Sequence, residues 1–217
     1  MKFYFDGDSF TYGGGLRQIG VAPEDVRWSR IVCDHFGAEE INLAAGGASN
    51  DRVMRQMFGK PTTEVYDFYF LQTTEPVRKE FYDIKKKKWI TYKCTSTDGL
   101  YEKWERRCGS EEGKKFAEWI DFEFRRVYND HYGKTKENIT YNALKSYVAS
   151  VGREKKSFFS TMIKRKNYQN KYDLYFNPQT KFDTQVVYDR IPNDGHPSVE
   201  GHKAIAKYVI DIVSERL

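Results

Sequence analysis

The chain has 217 residues and a formal net charge of +5, and this length suits one ordinary α/β domain with a buried core, leaving little room for two. Hydrophobic residues make up 39% and aromatic residues 16%, so Phe, Tyr and Trp must supply much of the apolar burial of a globular chain. The three cysteines, Cys33, Cys94 and Cys108, form no C-x-x-C pair. Their number and spacing argue against a disulfide framework and a zinc knuckle, so we expect reduced thiols.

The first 75 residues alternate between strand and helix patterns. The predicted strands span 2–5, 40–43 and 66–72, and the predicted helices span about 24–36 and 50–58. Because strands that alternate with helices pair in parallel, we predict a parallel sheet with helices packed on it. A last helix is predicted after Pro197-Ser198. Its apolar residues recur at helical spacing and are Ala204, Ile205, Tyr208, Val209, Ile212 and Val213.

The chain begins directly with a strand-like segment, Lys2–Phe5, which leaves no room for the charged and apolar regions of a signal peptide. No later stretch approaches the length of a membrane span. We therefore expect a cytoplasmic protein that does not contact a membrane. A structural protein of a phage virion would have the same features, so this alternative stays open.

Residues 78–171 differ in charge from the rest of the chain. They hold 24 lysine and arginine residues against 13 aspartate and glutamate residues, a net of +11, and the remainder carries a net of −6. We predict a single domain, 1–217, with a basic, aromatic-rich insertion at about 76–171 that includes a helix near 114–131. The basic runs are Lys85–Lys88, Arg106-Arg107, Arg125-Arg126 and Lys164-Arg165-Lys166, and the aromatic residues among them are Trp89, Tyr92, Trp104, Trp119, Phe122, Phe124 and Tyr128.

Two interpretations of this basic segment are open. In the first, its aromatic side chains form a core and its charges form a solvated face, as is usual for such patterns. In the second, it is a platform for a polyanion such as nucleic acid or an acidic glycan. The spacing of the residues does not distinguish between these two polyanions.

The residues that carry chemistry begin where the first predicted strand ends, in Asp6-Gly7-Asp8-Ser9. A serine at a strand-to-helix turn exposes its hydroxyl at the carboxyl edge of the sheet, and its backbone N–H can face a developing oxyanion. Gly7-Asp8-Ser9 resembles the G-D-S signature of the SGNH/GDSL hydrolases, whereas Thr11 argues against the G-x-S-x-G elbow of α/β-hydrolases. The resemblance implies that Ser9 is a nucleophile.

The same block also resembles the D-x-D motif of haloacid-dehalogenase-type phosphatases. In that alternative Asp6 is the nucleophile and Asp8 the acid, with Mg²⁺ between them. Phe10 fits this motif badly, because that family usually has Thr or Val two positions after the second aspartate.

The second block is the glycine turn after the strand at 40–43. The resemblance implies that the N–H of Gly47 serves an oxyanion hole, where a glycine lets the backbone approach the reacting atom. The alternative is an ordinary turn with Ser49 or Asn50 as the N-cap of the next helix. Both interpretations can hold together.

The third block departs from the family, which usually has G-x-N-D after its third strand. Here the strand at 66–72 runs into Thr73 and Thr74, and no asparagine is present. We predict that Thr74, or else Thr73, supplies a hydroxyl donor to the oxyanion hole in its place.

The fourth block, Asp194-Gly195-His196-Pro197, closely resembles the terminal block of the family. The resemblance implies that His196 is the general base and that Asp194 orients its ring and stabilises the imidazolium. Asn193 occupies the alternative position for the acid, three residues before the histidine. His202 competes as the base, but it falls inside the predicted last helix.

The resemblance covers about the first 75 and the last 30 residues and implies a three-layer α/β/α fold of the flavodoxin-like SGNH type. It also implies a serine esterase that works through an acyl-enzyme and requires neither a metal ion nor an organic cofactor. We expect a short acyl ester or an O-acetyl ester as the substrate, on a glycan or another acidic molecule that the basic segment contacts. The alternative from another class is a catalytically weak SGNH scaffold that binds a polyanion.

Overall fold

A computed structural model of the chain describes residues 1–59, 64–93, 100–161, 171–175 and 189–217. The strands are β1 (Lys2–Asp6), β2 (Glu39–Asn42), β3 (Phe68–Thr73), β4 (Arg78–Asp83), β5 (Lys88–Lys93), β6 (Ser157–Thr161) and β7 (Leu174–Tyr175). Within the described ranges, five of them form a parallel sheet in the order β2-β1-β3-β6-β7. The other two, β4 and β5, form an antiparallel hairpin.

The helices confirm the predicted alternation of the first 75 residues and the predicted last helix. They are α1 (Ser9–Tyr12), α2 (Pro23–Val26), α3 (Trp28–Phe36), α4 (Asn50–Phe58), α5 (Leu100–Cys108), α6 (Ser110–Arg126), α7 (Asp130–Ser150) and α8 (Val199–Arg216), with a 3₁₀ turn at Leu16–Ile19. The single helix predicted over 24–36 is divided into α2 and α3. The division falls at Arg27, whose backbone is extended and whose guanidinium donates two hydrogen bonds to Glu40 of β2.

The alternation of side chains along the strands divides the core into two layers. Phe3 and Phe5 of β1 and Phe68 and Phe70 of β3 lie on one face, where the rings of Phe5 and Phe70 stack with centroids 4.3 Å apart. Helices α3 and α8 cover this face with Trp28, Val32, Ile205, Val209 and Val213. On the opposite face Tyr4, Tyr69 and Leu71 pack with residues of α4 and α7, namely Val53, Met57, Leu144 and Val148.

The predicted three-layer α/β/α fold with a parallel sheet is therefore confirmed. Strands that are buried on both faces are mainly apolar, and every residue of β3 is buried, with four apolar residues before Gln72 and Thr73. The strand order is that of flavodoxin-like proteins, in which sites lie at the carboxyl ends of the strands beside the point where the order reverses. Here that point lies between β1 and β3.

The basic segment forms its own small core beside the sheet. Ile90 and Tyr92 of β5 pack with Trp104 of α5 and with Ala117 and Ile120 of α6. Of the seven aromatic residues named above, Tyr92 and Trp104 are thus core, whereas Trp89, Trp119 and Phe122 are exposed, so neither interpretation is settled. The predicted helix near 114–131 corresponds to α6, which ends at Arg126.

The bounds of the insertion, about 76–171, stay a prediction. β6 pairs with β3 in the main sheet, and α7 covers that sheet, so the part that departs from the layers runs from β4 to α6. Ser157, Ser160 and Thr161 make β6 polar in sequence although all three are buried, which conceals a central strand. We still predict that the part from β4 to α6 belongs to an insertion into a single domain.

Some predicted features lie outside the described residues, namely Cys94 and the run Lys164-Arg165-Lys166. Cys33 and Cys108 are free thiols. In the ranges that the structure describes, no helix has the length and apolar character needed to cross a membrane.

Candidate active site

The candidate site lies at the carboxyl end of β1. The strand ends at Asp6, and Ser9 opens α1 after a single turn of chain. The side chain of Asp8 caps the helix by accepting a hydrogen bond from the N–H of Phe10 at 3.0 Å. Ser9 is 8% exposed, so only a small part of the residue is open to solvent.

The structure brings Ser9, His196 and Asp194 together. Nε2 of His196 lies 2.8 Å from Oγ of Ser9, and Nδ1 lies 3.0 Å from Oδ1 of Asp194. The second contact has the distance of an ion pair without the alignment of a full hydrogen bond. Such contacts are often poorly aligned before a substrate binds, and the arrangement has the order of nucleophile, base and orienting carboxylate.

The loop before α8 holds His196 in place. The N–H of Ile191 donates to the carbonyl of His196 at 2.9 Å, and Arg190 forms an antiparallel bridge with Pro197. Left-handed backbone at Asn193 and Gly195 turns the chain around Asp194. Asn193, at the alternative position for the acid, thus helps to form this turn, and Asp194 makes the contact with His196.

Two glycines that the sequence analysis passed over lie against these side chains. A Cβ on Gly14 would come within 2.8 Å of Cβ of Ser9 and 3.0 Å of Nε2 of His196. A Cβ on Gly15 would overlap Oδ2 of Asp194, and the φ of Gly15 is +82°. The glycine run after α1 therefore lets the backbone approach His196 and Asp194 closely.

The second block is the turn that leads into α4. Gly47 has left-handed backbone, and Ser49 caps α4 by accepting a hydrogen bond from the N–H of Arg52 at 3.1 Å. Ser49 is therefore the N-cap. The first residue of α4, Asn50, bonds the backbone of Thr74 on both sides, since its Oδ1 accepts from the N–H at 2.7 Å and its Nδ2 donates to the carbonyl at 3.2 Å.

This clamp ties the second block to the third across the end of β1, because β1 lies between β2 and β3. The two threonines differ in the partners of their hydroxyl groups. The hydroxyl of Thr73 donates to the phenol oxygen of Tyr172 at 3.2 Å. The buried hydroxyl of Thr74 has no hydrogen-bond partner among the described residues.

The geometry argues against the phosphatase alternative. Asp6 and Asp8 are both fully buried. Oδ1 of Asp6 accepts from the N–H of Gly7 at 2.8 Å and contacts Arg52, and Asp8 bonds Phe10, Gln72 and Arg78. Burial raises the pKa of Asp6 to about 7 and also raises the pKa of Asp8.

Neither carboxylate thus faces a space where a phosphoryl group or Mg²⁺ could approach it. Over the part of the chain that the structure describes, no group of three His, Cys, Asp or Glu side chains is arranged to hold a metal ion. Gln72 and Arg78, which hold Asp8, carry no motif in the sequence and were missed there.

The other histidines lie away from this arrangement. His202 is fully buried, and its Nδ1 accepts a hydrogen bond from the N–H of Trp28 at 3.2 Å. Burial lowers the pKa of His202 to about 4, with a smaller effect from His196. His202 is therefore a neutral packing residue, and His35 and His131 are exposed.

The fold and the site together define an α/β/α protein with a Ser–His–Asp arrangement at the carboxyl edge of its sheet. Among solved structures, the chain is similar to a member of the lipolytic protein G-D-S-L family from Veillonella parvula, at 14% identity over 100% of both chains and a TM-score of 0.40. It is also similar to the acetyl xylan esterase Est2A from Butyrivibrio proteoclasticus, at 13% identity over 99% of this chain and 63% of that chain, with a TM-score of 0.48.

A third similar structure is a carbohydrate acetylesterase family member from Sinorhizobium meliloti, at 11% identity over 100% of this chain and 99% of that chain, with a TM-score of 0.42. No protein-family model matches the chain, and no curated protein does. The chain is thus similar to GDSL proteins in solved structures as well as in its motifs.

The close approach of Gly15 to Asp194 predicts a difference between two glycine variants. Gly15→Ala and Gly20→Ala both place alanine at positive φ, +82° and +76°, but only Gly15→Ala meets a neighbouring atom. We expect Gly15→Ala to slow the labelling of Ser9 by a fluorophosphonate about 10²-fold through displacement of Asp194 and His196. Gly20→Ala shares the backbone strain and should keep the wild-type labelling rate. Equal rates in the two variants would contradict this role of Gly15.

The burial of neutral His202 predicts a stability change with pH. Between pH 6.5 and pH 4 His202 is protonated in the unfolded chain but neutral in the folded protein. The free energy of unfolding therefore falls as the pH falls through this window. The loss should approach about 3 kcal/mol. It should be absent from His202→Asn, whose amide oxygen can still accept from Trp28. Urea unfolding of both proteins across this range measures the difference, and parallel curves would contradict it.

Proposed function

We propose that the chain is an SGNH/GDSL-type serine hydrolase that cleaves an ester, with Ser9 as the nucleophile, His196 as the general base and Asp194 as its partner. The single observation that carries the proposal is the 2.8 Å contact between Nε2 of His196 and Oγ of Ser9, with Asp194 at the other ring nitrogen. A serine hydroxyl is a weak nucleophile unless a base within hydrogen-bond reach takes its proton.

In the proposed mechanism Oγ of Ser9 attacks the ester carbonyl carbon while Nε2 of His196 takes the hydroxyl proton. The protonated ring then delivers this proton to the leaving alcohol as the ester C–O bond breaks. A water molecule, deprotonated by the same nitrogen, then attacks the acyl carbon; the bond between this carbon and Oγ of Ser9 breaks, Oγ takes the proton back from Nε2, and the acid is released. Asp194 holds Nδ1 and stabilises the imidazolium in both steps.

The oxyanion of each tetrahedral intermediate needs hydrogen-bond donors. We propose the N–H of Ser9, which has no partner inside the first turn of α1, and the N–H of Gly47. The hydroxyl of Thr74 is proposed as the third donor in place of the asparagine of the resembled family. Its support is the unpartnered hydroxyl and the clamp from Asn50, which holds Thr74 at the end of β3.

The proposed substrate is a short acyl ester or an O-acetyl ester on a glycan or another acidic molecule. The low exposure of Ser9 favours a small acyl group. The basic segment begins at β4, a few residues after β3 ends at the catalytic edge, and its charge favours an acidic alcohol portion.

Every group that the protein supplies to this mechanism is a side chain or a backbone amide. The cytoplasmic location and the single-domain organisation are part of the same proposal.

The second candidate function is a polyanion-binding module on a catalytically weak scaffold. The observation that favours it is the exposure of Trp89, Trp119 and Phe122 within the basic segment. Exposed aromatic side chains among cations are typical of surfaces that bind single-stranded nucleic acid. Against it, Lys79 and Lys85 are already paired with Glu123 and Glu112, which lowers the charge available to a ligand.

The catalytic proposal is tested by hydrolysis of p-nitrophenyl acetate and butyrate with and without EDTA. We expect activity that EDTA does not change and that falls at least ~10³-fold in Ser9→Ala, His196→Ala and Asp194→Asn. Ser214→Ala, which removes an exposed hydroxyl on α8, is the control and should match the wild type. Activity that requires a metal ion, or that persists in Ser9→Ala, would overturn the proposal.

The adjacent threonines provide a matched test of the third oxyanion donor. Thr74→Val should lower kcat for ester hydrolysis about 10²-fold with little change in KM, because the lost hydrogen bond belongs to the transition state. Thr73→Val removes the hydroxyl that bonds Tyr172 and should cost about 1 kcal/mol of stability while leaving kcat unchanged. If both variants keep the wild-type kcat, Thr74 is not a donor.

The polyanion proposal is tested by fluorescence anisotropy with a labelled single-stranded oligonucleotide and with a heparin fragment. We expect binding that weakens as salt rises, persists in Ser9→Ala and is weaker in Trp89→Ala. Phe58→Ala removes an exposed ring of α4 outside the basic segment and should bind like the wild type. Absence of binding to both ligands at low salt would remove this candidate.

A further inference from the structure

The carboxylate of Asp8 occupies an unusual place, directly before the nucleophile and without contact with solvent. Its Oδ1 accepts two hydrogen bonds, from the N–H of Phe10 at 3.0 Å and from Nε2 of Gln72 at 2.8 Å. Its Oδ2 accepts from Nη1 of Arg78 at 2.8 Å. A buried carboxylate remains charged only if a cation and further donors compensate for its lost hydration.

Arg78 is the compensating cation, and it comes from a different part of the fold. It is the first residue of β4, at the base of the hairpin that opens the basic segment. Its side chain is 15% exposed and also lies 3.3 Å from Oε2 of Glu75. Across the hairpin its register partner Lys93 contacts the same glutamate but does not reach Asp8.

We propose that Arg78 is a positioning residue that sets the place of the Ser9 hydroxyl through Asp8, an inference that rests on the proposed serine hydrolase function. Ser9 lies between Asp8 and Phe10, so the carboxylate that Arg78 holds fixes the backbone on both sides of the nucleophile. The same network includes Gln72, whose Oε1 accepts from the hydroxyl of Thr11 at 2.6 Å.

The chain before Asp8 packs closely against this network. A Cβ on Gly7 would come within 2.5 Å of Oε1 of Gln72, so the chain before Asp8 lies tightly against the same side chain. Without Arg78, Asp8 would take up a proton or turn away, and the N–H of Phe10 would lose its acceptor. Oγ of Ser9 would then move relative to Nε2 of His196.

The experiment compares Arg78→Met, Arg78→Lys and Arg78→Ala with Lys93→Met in ester hydrolysis and in thermal unfolding. We expect Arg78→Met to lower kcat about 10²-fold with little change in KM, because a displacement of about 1 Å in a reacting group has that effect. Arg78→Lys keeps the charge and should recover part of kcat. Added guanidinium should raise the kcat of Arg78→Ala and leave the wild type unchanged.

Lys93→Met removes a cation of the same hairpin that does not touch Asp8, and it should keep the wild-type kcat. If Arg78→Met fails to fold, Asp8→Asn/Arg78→Met removes both charges together and should fold, with the same loss of kcat. Folded Arg78 variants with the wild-type kcat, or a loss of kcat in Lys93→Met equal to that in Arg78→Met, would overturn the role of Arg78 and leave the proposed function standing. A folded wild type that neither hydrolyses esters nor reacts with a fluorophosphonate would overturn the proposed function, and the role of Arg78 with it.

Discussion

The organisation of the candidate site depends on one constraint, the burial of the Asp8 charge at the end of β1. A carboxylate without contact with water needs a cation and full hydrogen bonding, and Arg78, Gln72 and the N–H of Phe10 supply them. These partners come from β4, from β3 and from the first turn of α1. Compensation of a single charge therefore joins the sheet, the hairpin and the helix that carries Ser9.

The sheet provides the frame for this compensation. Its aromatic side chains alternate between two faces, and helices cover both, so the strands are fixed in register. Parallel strands end at the same edge, which brings the chain after β1, β2 and β3 into one region. The Asn50 clamp on Thr74 spans the end of the strand between them. The neutral side chain of His202 packs against the start of α3, where its Nδ1 accepts a hydrogen bond from the N–H of Trp28.

Local sequence was sufficient to predict the strands and helices of the first 75 residues, and the resemblance to the GDSL motifs implied the grouping of Ser9 with Asp194 and His196. In each case the signal lies within a few residues, either as apolar periodicity or as a short block at a strand end. Strand β6 was missed for the opposite reason, because it owes its burial to neighbouring strands and not to its own polar residues. Gln72 and Arg78 were missed because their role also depends on residues that are distant in sequence. Their contacts with Asp8 span 64 and 70 residues of chain, and neither type of residue marks a site by itself.

The separation of Ser9 from His196 in sequence has a consequence for folding during synthesis on the ribosome. The two residues are 187 positions apart, and α8, which follows His196, covers the phenylalanine face of β1 and β3. A nascent chain that ends before α8 therefore leaves part of this aromatic face uncovered, and one that ends before residue 196 lacks the base of the proposed mechanism. On the proposed mechanism, hydrolytic activity therefore depends on the same late part of the chain that covers this aromatic face.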